Sequence, residues 1–345
     1  MLVCGIDAHT RVFEVCVVDE VGAPVARTQA ANTPAGHTQI LEWLTGQLPE
    51  VPVRVGIEGG GNWGLRLAWA LTRAGLQVRE VPGHYTARER MRLRGAGRSD
   101  ARDALAIARI VAREPALPPI RKDDLTRQLK LLVDYRKSLG AERTRTQNRV
   151  LRDLGMLGIQ PPPRGLRGKK NLTRLTDQLH ADPRPQAEIA RRRLGRITQI
   201  DTEITELTRM LTPLVAATGT SLTDLLGIGT VNAARILGEV GDITRYRNRD
   251  AFAAANGTAP IPASSGNTTR MRLSRAGNRR LNHALHQMAL TQISHPGPGK
   301  EFYRRRRQNG DGPLEALRAL KRRLSNVVYR QLLADATHPS EPAPG

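Results

Sequence analysis

The sequence predicts a mixed α/β domain of the ribonuclease H-like kind at the N-terminus, followed by mainly α-helical regions. Short apolar runs separated by turn residues open the chain, helix-like and strand-like segments then alternate, and long polar segments with helical apolar spacing begin near Leu125. We therefore expect an α/β domain over 1–120, a helical coiled-coil linker over 121–213, a helical C-terminal domain over 214–334 and a disordered tail over 335–345.

The first strands form a predicted antiparallel meander. The runs are LVCGI from Leu2, VFEVCVV from Val12 and PVARTQ from Pro24, which are rich in β-branched residues and separated by polar turns. The segments predicted next are a helix around 36–48, a strand over 53–58, a helix around 63–74, a strand over 76–81 and a helix that starts near His84. This alternation after a meander indicates one mixed sheet covered by helices.

The linker contains two predicted helices that flank the segment QPPPRGLRGKKN, whose prolines and glycines exclude a continuous helix. The first helix covers 125–154. The second carries a heptad-like seam of apolar residues, Ile197, Ile200, Ile204, Leu207 and Leu211. The two helices either fold back on each other within one chain or pair between chains, and the spacing alone favours neither.

The charge of the chain points to a polyanionic partner. Lys and Arg number 54 against 32 Asp and Glu, which gives a formal net charge of +22 over 345 residues. A basic excess spread along the whole chain favours nucleic acid as that partner.

The cysteines and the hydropathy bear on the compartment. Cys4 and Cys16 lie in apolar runs without metal-ligand spacing, as expected for buried thiols in a reducing compartment. Because no apolar stretch reaches the roughly 18 residues of a membrane span and no signal peptide is apparent, we expect a cytoplasmic protein and no membrane partner.

Four carboxylates stand in settings that predict a metal site. Asp7 and Glu58 each follow or close a strand-like run, and Asp100 and Asp103 lie three residues apart on a predicted helix, where they share a face. Carboxylates gathered in one crevice repel one another unless a cation binds, and hard oxygen donors suit Mg²⁺, with Mn²⁺ as the alternative. Two such ions would clamp the attacking and leaving oxygens of a phosphodiester. Taken singly, none of the four acids is specific, because a lone aspartate after a strand is more often a turn residue or a helix cap than a metal ligand.

The C-terminal region carries two further motifs. Gly227 and Gly229 lie between helical segments in LLGIGTVNAARIL, where backbone N–H groups could grip a phosphate or where the chain simply makes a tight turn. A loop with Ser264, Ser265 and Gly266 precedes an acid-free stretch of five arginines: Arg270, Arg272, Arg275, Arg279 and Arg280. By composition this loop is ordinary turn chemistry, although hydroxyls among arginines can also meet a phosphate.

Taken together, the motifs GID, IEGGG, RSDARDA, LLGIGTVNAARIL, ANGTAPIPASSG and SRAGNRRLNHAL resemble the DEDD transposases of insertion-sequence family one-ten, relatives of the Piv DNA invertases. The resemblance covers roughly residues 2 to 333. Two departures are mild: RSD replaces the expected Lys-Thr-Asp, and Gly-Gly-Gly rather than Ala-Thr-Gly follows Glu58.

The resemblance implies a RuvC-like domain in which Asp7, Glu58, Asp100 and Asp103 bind Mg²⁺, together with a linker that forms a dimer or tetramer. It also implies a C-terminal transposase domain with a nucleophilic serine, Ser265, although the adjacent Ser264 leaves the register open by one. A structured noncoding bridge RNA would pair with donor and target DNA, and the serine would link covalently to DNA. Metal-held carboxylates would activate the serine, which is a weak nucleophile alone, while the five arginines would hold phosphates.

Three other functions remain compatible with the residues. GIDAHT also resembles the first phosphate turn of actin-like sugar kinases, but no second glycine-rich motif of the adenosine-binding kind follows. A noncatalytic nucleic-acid-binding protein would need only the basic helices. A RuvC-like junction-resolving nuclease would use the acids with water and would not need Ser265.

Overall fold

The computed structural model describes residues 1–46, 48, 54–92, 100–121, 124–163, 165–262, 271–272 and 277–337. The chain forms two compact units, 1–122 and 123–345.

The N-terminal unit contains a five-stranded mixed sheet. Its strands are β1 (Val3–Ala8), β2 (Val12–Val18), β3 (Pro24–Ala31), β4 (Arg54–Glu58) and β5 (Val78–Val81). They lie in the order β3-β2-β1-β4-β5, with β1, β2 and β3 antiparallel and with β4 parallel to both β1 and β5. This is the ribonuclease H-like arrangement, so the predicted fold class is confirmed. All six residues of β1 are buried, as a central strand covered on both faces requires.

Helices cover the two faces of this sheet. They are α1 (Pro34–Gly46), α2 (Leu65–Arg73), α3 (Gly83–Arg92) and α4 (Asp100–Arg113). Ile6 and Ile57 of the sheet share one core with residues of α1 and α2, whereas Val3 and Val81 share a second core with α4. Successive side chains therefore alternate between two apolar layers, which explains why these strands are almost continuously hydrophobic.

Gly5 sets the close approach of α4 to β1. A Cβ atom at Gly5 would overlap the backbone nitrogen of Ala108 and the carbonyl oxygen of Ala104. Only glycine permits this separation, which brings the start of α4 next to the end of β1.

The C-terminal unit is helical apart from one short antiparallel pair, β6 (Ile261–Pro262) with β7 (Met271–Arg272), in the part of the chain described. Its helices are α5 (Leu125–Leu157), α6 (Lys169–His180), α7 (Pro185–Ala217), α8 (Thr230–Val240), α9 (Arg249–Ala255), α10 (Arg279–Ser294), α11 (Pro298–Gln308) and α12 (Pro313–Thr337). The α5 helix begins at an Asp124 cap and ends at Gly158, whose φ of +74° stops it in the left-handed region.

The seam of apolar residues on α7 is filled from within the same chain. Leu139 of α5 packs with Ile200 and Leu207 of α7, and Arg143 donates to Asp201 at 3.0 Å between Nη2 and Oδ2. The structure therefore shows the arrangement in which the chain folds back on itself, with α5 and α7 burying each other's apolar stripes.

Three boundaries differ from the expected ones. Helix α6 lies just beyond the proline-rich break and packs through Leu172, Leu175 and Leu179, which repeat at helical spacing. Helix α7 runs through Pro213, because the buried residues around it anchor both sides of the proline in the C-terminal core. Residues 335–337, expected in a disordered tail, are helical, since Asp335 accepts a hydrogen bond from Thr220 Oγ1 at 2.8 Å.

Both cysteines are buried and free, and burial raises the pKa of each thiol. Across the described residues, every helix is too short or too polar to cross a membrane.

Candidate active site

Two of the predicted acids sit side by side at the ends of parallel strands. Asp7 of β1 pairs in register with Glu58 of β4. Register partners on adjacent strands point to the same face, and Gly5, two residues before Asp7, faces α4. Both carboxylates therefore lie on the α4 side of the sheet. Asp7 is only 5% exposed.

The other two acids come from the first turn of α4, which begins at Asp100 and carries Asp103 on the same face. His9, in the turn after β1, joins the two groups of acids. Its Nε2 lies 3.0 Å from Asp7 Oδ2 and 3.4 Å from Asp100 Oδ1. All four acids line a single cleft of about 630 Å³.

Electrostatics single out Asp7 within this cleft. Burial raises the pKa of Asp7 to about 6. His9 opposes this increase through its charge and hydrogen bond, whereas the negative charges of Glu58 and Asp103 add to it. The raised pKa is the expected result of placing a carboxylate out of water beside two others, and it marks a site suited to a cation.

The cleft contains further residues that were absent from the sequence prediction, among them Glu80 and Gly83. Glu80 of β5 also lines the cleft, and Gly83, which begins α3, would place a Cβ 3.0 Å from Glu58 Oε1. A side chain at Gly83 would crowd that carboxylate. The sequence signal for Glu80 was its position near the end of a strand-like run, the same setting as Glu58.

The donor set fits a hard divalent cation. Asp7, His9 and Asp100 each offer a ligand atom, and these atoms lie within 4.8 Å of one another. Carboxylate oxygens dominate the cleft, and such oxygens are the donors that Mg²⁺ and Mn²⁺ take. His9 contributes both to the turn after β1, through its backbone N–H to Val12 O, and to the cleft.

The two glycines expected to grip phosphate have different local roles. Gly227 has φ +93°, and a Cβ there would lie 2.9 Å from Met288 O of α10, so this glycine makes a tight turn against a neighbouring helix. Gly229 caps α8, with open space where a side chain would stand. A short 3-10 turn, Leu222–Asp224, precedes them where a helix was expected.

The predicted serine loop falls largely outside the described residues. This applies to Ser264, Ser265, Gly266, Arg270 and Arg275. Arg272 lies on β7, and Arg279 is exposed at the start of α10.

Arg280, also predicted to bind nucleic acid, donates to Asp134 and, at 3.0 Å, to Glu239 Oε1. It thereby links α10 to α5 and α8.

Comparisons with known proteins identify the family of this chain. Residues 4–156 match the family model DEDD_Tnp_IS110, described as a transposase, and residues 219–304 match the model described as Transposase IS116/IS110/IS902 family. The chain belongs to the IS110 family of transposases. As a member of this family it is a DNA transposase of an insertion sequence, and the sugar-kinase and noncatalytic alternatives are set aside.

Relatives within the IS110 family span almost the whole chain. The 44.8 kDa protein of insertion element IS116 from Streptomyces clavuligerus is 28% identical, covering 95% of this chain and 94% of the relative. The 42 kDa protein of IS900 from Mycobacterium paratuberculosis is 25% identical, covering 97% of both. Among solved structures, T. thermophilus RuvC in complex with Holliday junction substrate is 21% identical, covering 34% of this chain and 99% of that chain, with a TM-score of 0.26.

Proposed function

We propose that this transposase cuts and rejoins the DNA strands of its insertion sequence with Mg²⁺ held by Asp7, Glu58, Asp100 and Asp103 and with Ser265 as the nucleophile. The observation that carries the proposal is the cleft in which the adjacent strand residues Asp7 and Glu58 meet the first turn of α4. Family membership supplies the reaction class.

The four acids differ in what they contribute. Asp7 is buried and its pKa is raised, so an adjacent cation would favour its ionised form. Asp100 is exposed at the mouth of the cleft, where its carboxylate can meet an incoming phosphate group together with bound metal. Bound Mg²⁺ would act as a Lewis acid that stabilises negative charge on the reacting phosphodiester.

The serine step conserves bond energy. The Ser265 oxygen forms a bond to phosphorus, one phosphorus–oxygen bond to deoxyribose breaks, and the proton lost by the serine balances the one gained by the released sugar hydroxyl. One phosphodiester replaces another, so a hydroxyl of a second strand can reverse the exchange and rejoin DNA without an external energy source. The basic residues around this loop in the sequence would hold the negatively charged strands.

Guidance by a bridge RNA and assembly as a dimer or tetramer complete the proposal. Both derive from the family resemblance carried by the six sequence motifs. A net charge of +22 is compatible with a chain that holds RNA together with donor and target DNA.

The test is junction sequencing in cells that carry the intact element and a target plasmid. We expect accurate junctions from the wild type and from Ser264→Ala, and none from Ser265→Ala or Asp7→Asn. Purified Asp7→Asn protein should still bind DNA, which separates loss of chemistry from loss of binding.

Junctions that still form with Ser264→Ala and with Ser265→Ala would contradict a serine nucleophile and favour a nuclease that uses water. An element whose noncoding RNA is deleted, with the transposase supplied separately, tests guidance. Unchanged junctions in that strain would contradict a bridge RNA.

A further inference from the structure

A second cavity lies within the C-terminal unit. It has a volume of about 310 Å³ and is bounded on one side by Gly257–Pro260 and on the other by α12. This is near the lower end of the roughly 300–1,000 Å³ typical of ligand sites. The space suits one phosphate group with part of an attached sugar.

Four cations line this cavity: Arg306, Arg318, Lys321 and Arg322. Two of them are neutralised locally, since Arg306 pairs with Asp311 and Arg322 pairs with Asp250. Within the described part of the chain, Lys321 and Arg318 have no carboxylate within ion-pair distance. Glu315 is the single acid among the lining residues, and it is exposed.

Lys321 is the unusual member of this set. It is 7% exposed, and its Nζ donates to the neutral amide oxygen of Asn282 at 2.6 Å. Burial, with a smaller contribution from the charge of Arg279, lowers the pKa of Lys321 to about 8. A buried ammonium facing a cavity without a carboxylate partner is stabilised by any anion that enters.

The walls of the cavity are held in place by buried polar contacts. Asn256, which is fully buried, donates to Ser325 Oγ of α12 at 2.8 Å. Asn282 of α10 donates to the carbonyl oxygens of Asn256 and Gly257 and also accepts from Lys321. The ammonium is therefore positioned by a network that joins α10, α12 and the segment after α9, as a binding site requires.

The surrounding sequence is free of acids. No Asp or Glu occurs between Asp250 and Glu301, and this interval includes the loop of Ser264 and Ser265. The cavity wall Gly257–Pro260 leads directly into β6, and Ser265 follows three residues after the end of that strand. An anion bound by the cations of this cavity would thus lie against the chain segment that leads to the proposed nucleophile.

We propose that Lys321 and Arg318 form a phosphate site that holds the backbone of the DNA strand presented to the serine loop. The assignment of DNA as the occupant rests on the proposed serine chemistry. The site itself rests on the cavity, its unpaired cations and the acid-free segment beside it.

The experiment measures binding rather than catalysis, in the presence of a chelator. Fluorescence anisotropy compares the full-length wild type, Lys321→Met and Arg318→Gln on a labelled DNA duplex and on an RNA hairpin, each over a range of salt concentrations. Arg330→Gln is the matched control, because Arg330 is exposed on another part of α12 and lies outside the cavity.

We expect each cavity variant to weaken DNA binding roughly tenfold, the effect of one lost charge-assisted hydrogen bond. Each should also reduce the slope of log affinity against log salt by about 1, the signature of one lost phosphate contact. Arg330→Gln should change the DNA affinity and the salt slope much less. If Lys321→Met does not fold, the binding data for Arg318→Gln, at an exposed residue, are the test of the site.

Cavity variants that behave like Arg330→Gln would overturn the site, and a loss confined to the RNA hairpin would overturn DNA as its occupant. Because no strand is cut in this assay, failure of Ser265 as nucleophile would leave its readout unchanged. The two proposals therefore fail separately.

Discussion

Replacing Asp7 with asparagine should stabilise the metal-free N-terminal unit. The pKa of Asp7 is raised to about 6 from its usual 3.8. Since one pKa unit corresponds to about 1.4 kcal/mol, ionisation of Asp7 costs the folded unit about 3 kcal/mol. An asparagine side chain would keep the shape of the aspartate and remove its charge, so Asp7→Asn should raise the free energy of unfolding by about 2–3 kcal/mol at about pH 7.5 in chelator.

The pH dependence has a definite sign. Between about pH 4 and pH 6 the folded state binds more protons at Asp7 than the unfolded state does, so wild-type stability falls as pH rises through this window. Below about pH 4 the carboxyl is protonated in both states and the difference from Asp7→Asn should vanish. Above about pH 6 the difference should be complete.

Tryptophan fluorescence in urea measures the free energy of unfolding of the N-terminal unit, because Trp43, Trp63 and Trp69 all lie in that unit. Glu42→Gln is the control, since Glu42 is exposed on α1 and its loss should change stability by less than about 0.5 kcal/mol. Added Mg²⁺ should stabilise the wild type and not Asp7→Asn. A variant less stable than wild type in chelator at the same pH would refute this account of the cleft.

Two further changes test how each unit is held together. Gly5→Ala should destabilise the N-terminal unit by about 3 kcal/mol in the same urea assay and abolish junction formation, because the new methyl group displaces α4 at Ala108. The control is Gly46→Ala, which has open space around it and should be neutral or stabilising. Equal stability of the two variants would contradict the role of Gly5 in the packing of α4. In the C-terminal unit, burial acts to raise the pKa of Glu239, but hydrogen bonds from Lys130 and Asn278 outweigh it and hold the pKa at about 2. Glu239→Ala should therefore lower the free energy of unfolding of this unit by about 3 kcal/mol, measured by far-UV circular dichroism in urea. In the wild type this contribution to stability should be present above about pH 4.5 and be lost as pH falls toward 2. A loss of stability no larger than that of Glu206→Ala, at an exposed residue, would argue against the network.

Much of the fold could be predicted from local pattern. The strands of the meander, the helix before the proline-rich break and the seam on α7 depend on alternation and helical spacing, which neighbouring residues define. Pro213 shows the limit of local rules. Its missing N–H predicts a helix end, but packing of Leu211 and Val215 into the C-terminal core outweighs that cost.

The cleft was predictable only in part. A carboxylate at a strand end is recognisable in sequence, as Asp7 and Glu58 were. The position of Glu80 in the same cleft, and the contact of His9 with both Asp7 and Asp100, depend on how α3 and α4 pack on the sheet. The cavity at Lys321 was also missed, because a lysine on a helix is normally exposed and only the folded unit shows it to be buried.

By itself, the sequence determined the order and type of most elements, the basic character of the chain and the four acids, because propensity, periodicity and charge are properties of short segments. Only the tertiary structure decided that β1 pairs with β4, which places Asp7 beside Glu58, and that α5 covers the seam of α7 within one chain. Contacts between distant segments depend on which buried faces pack against each other, and that choice is made by the fold as a whole.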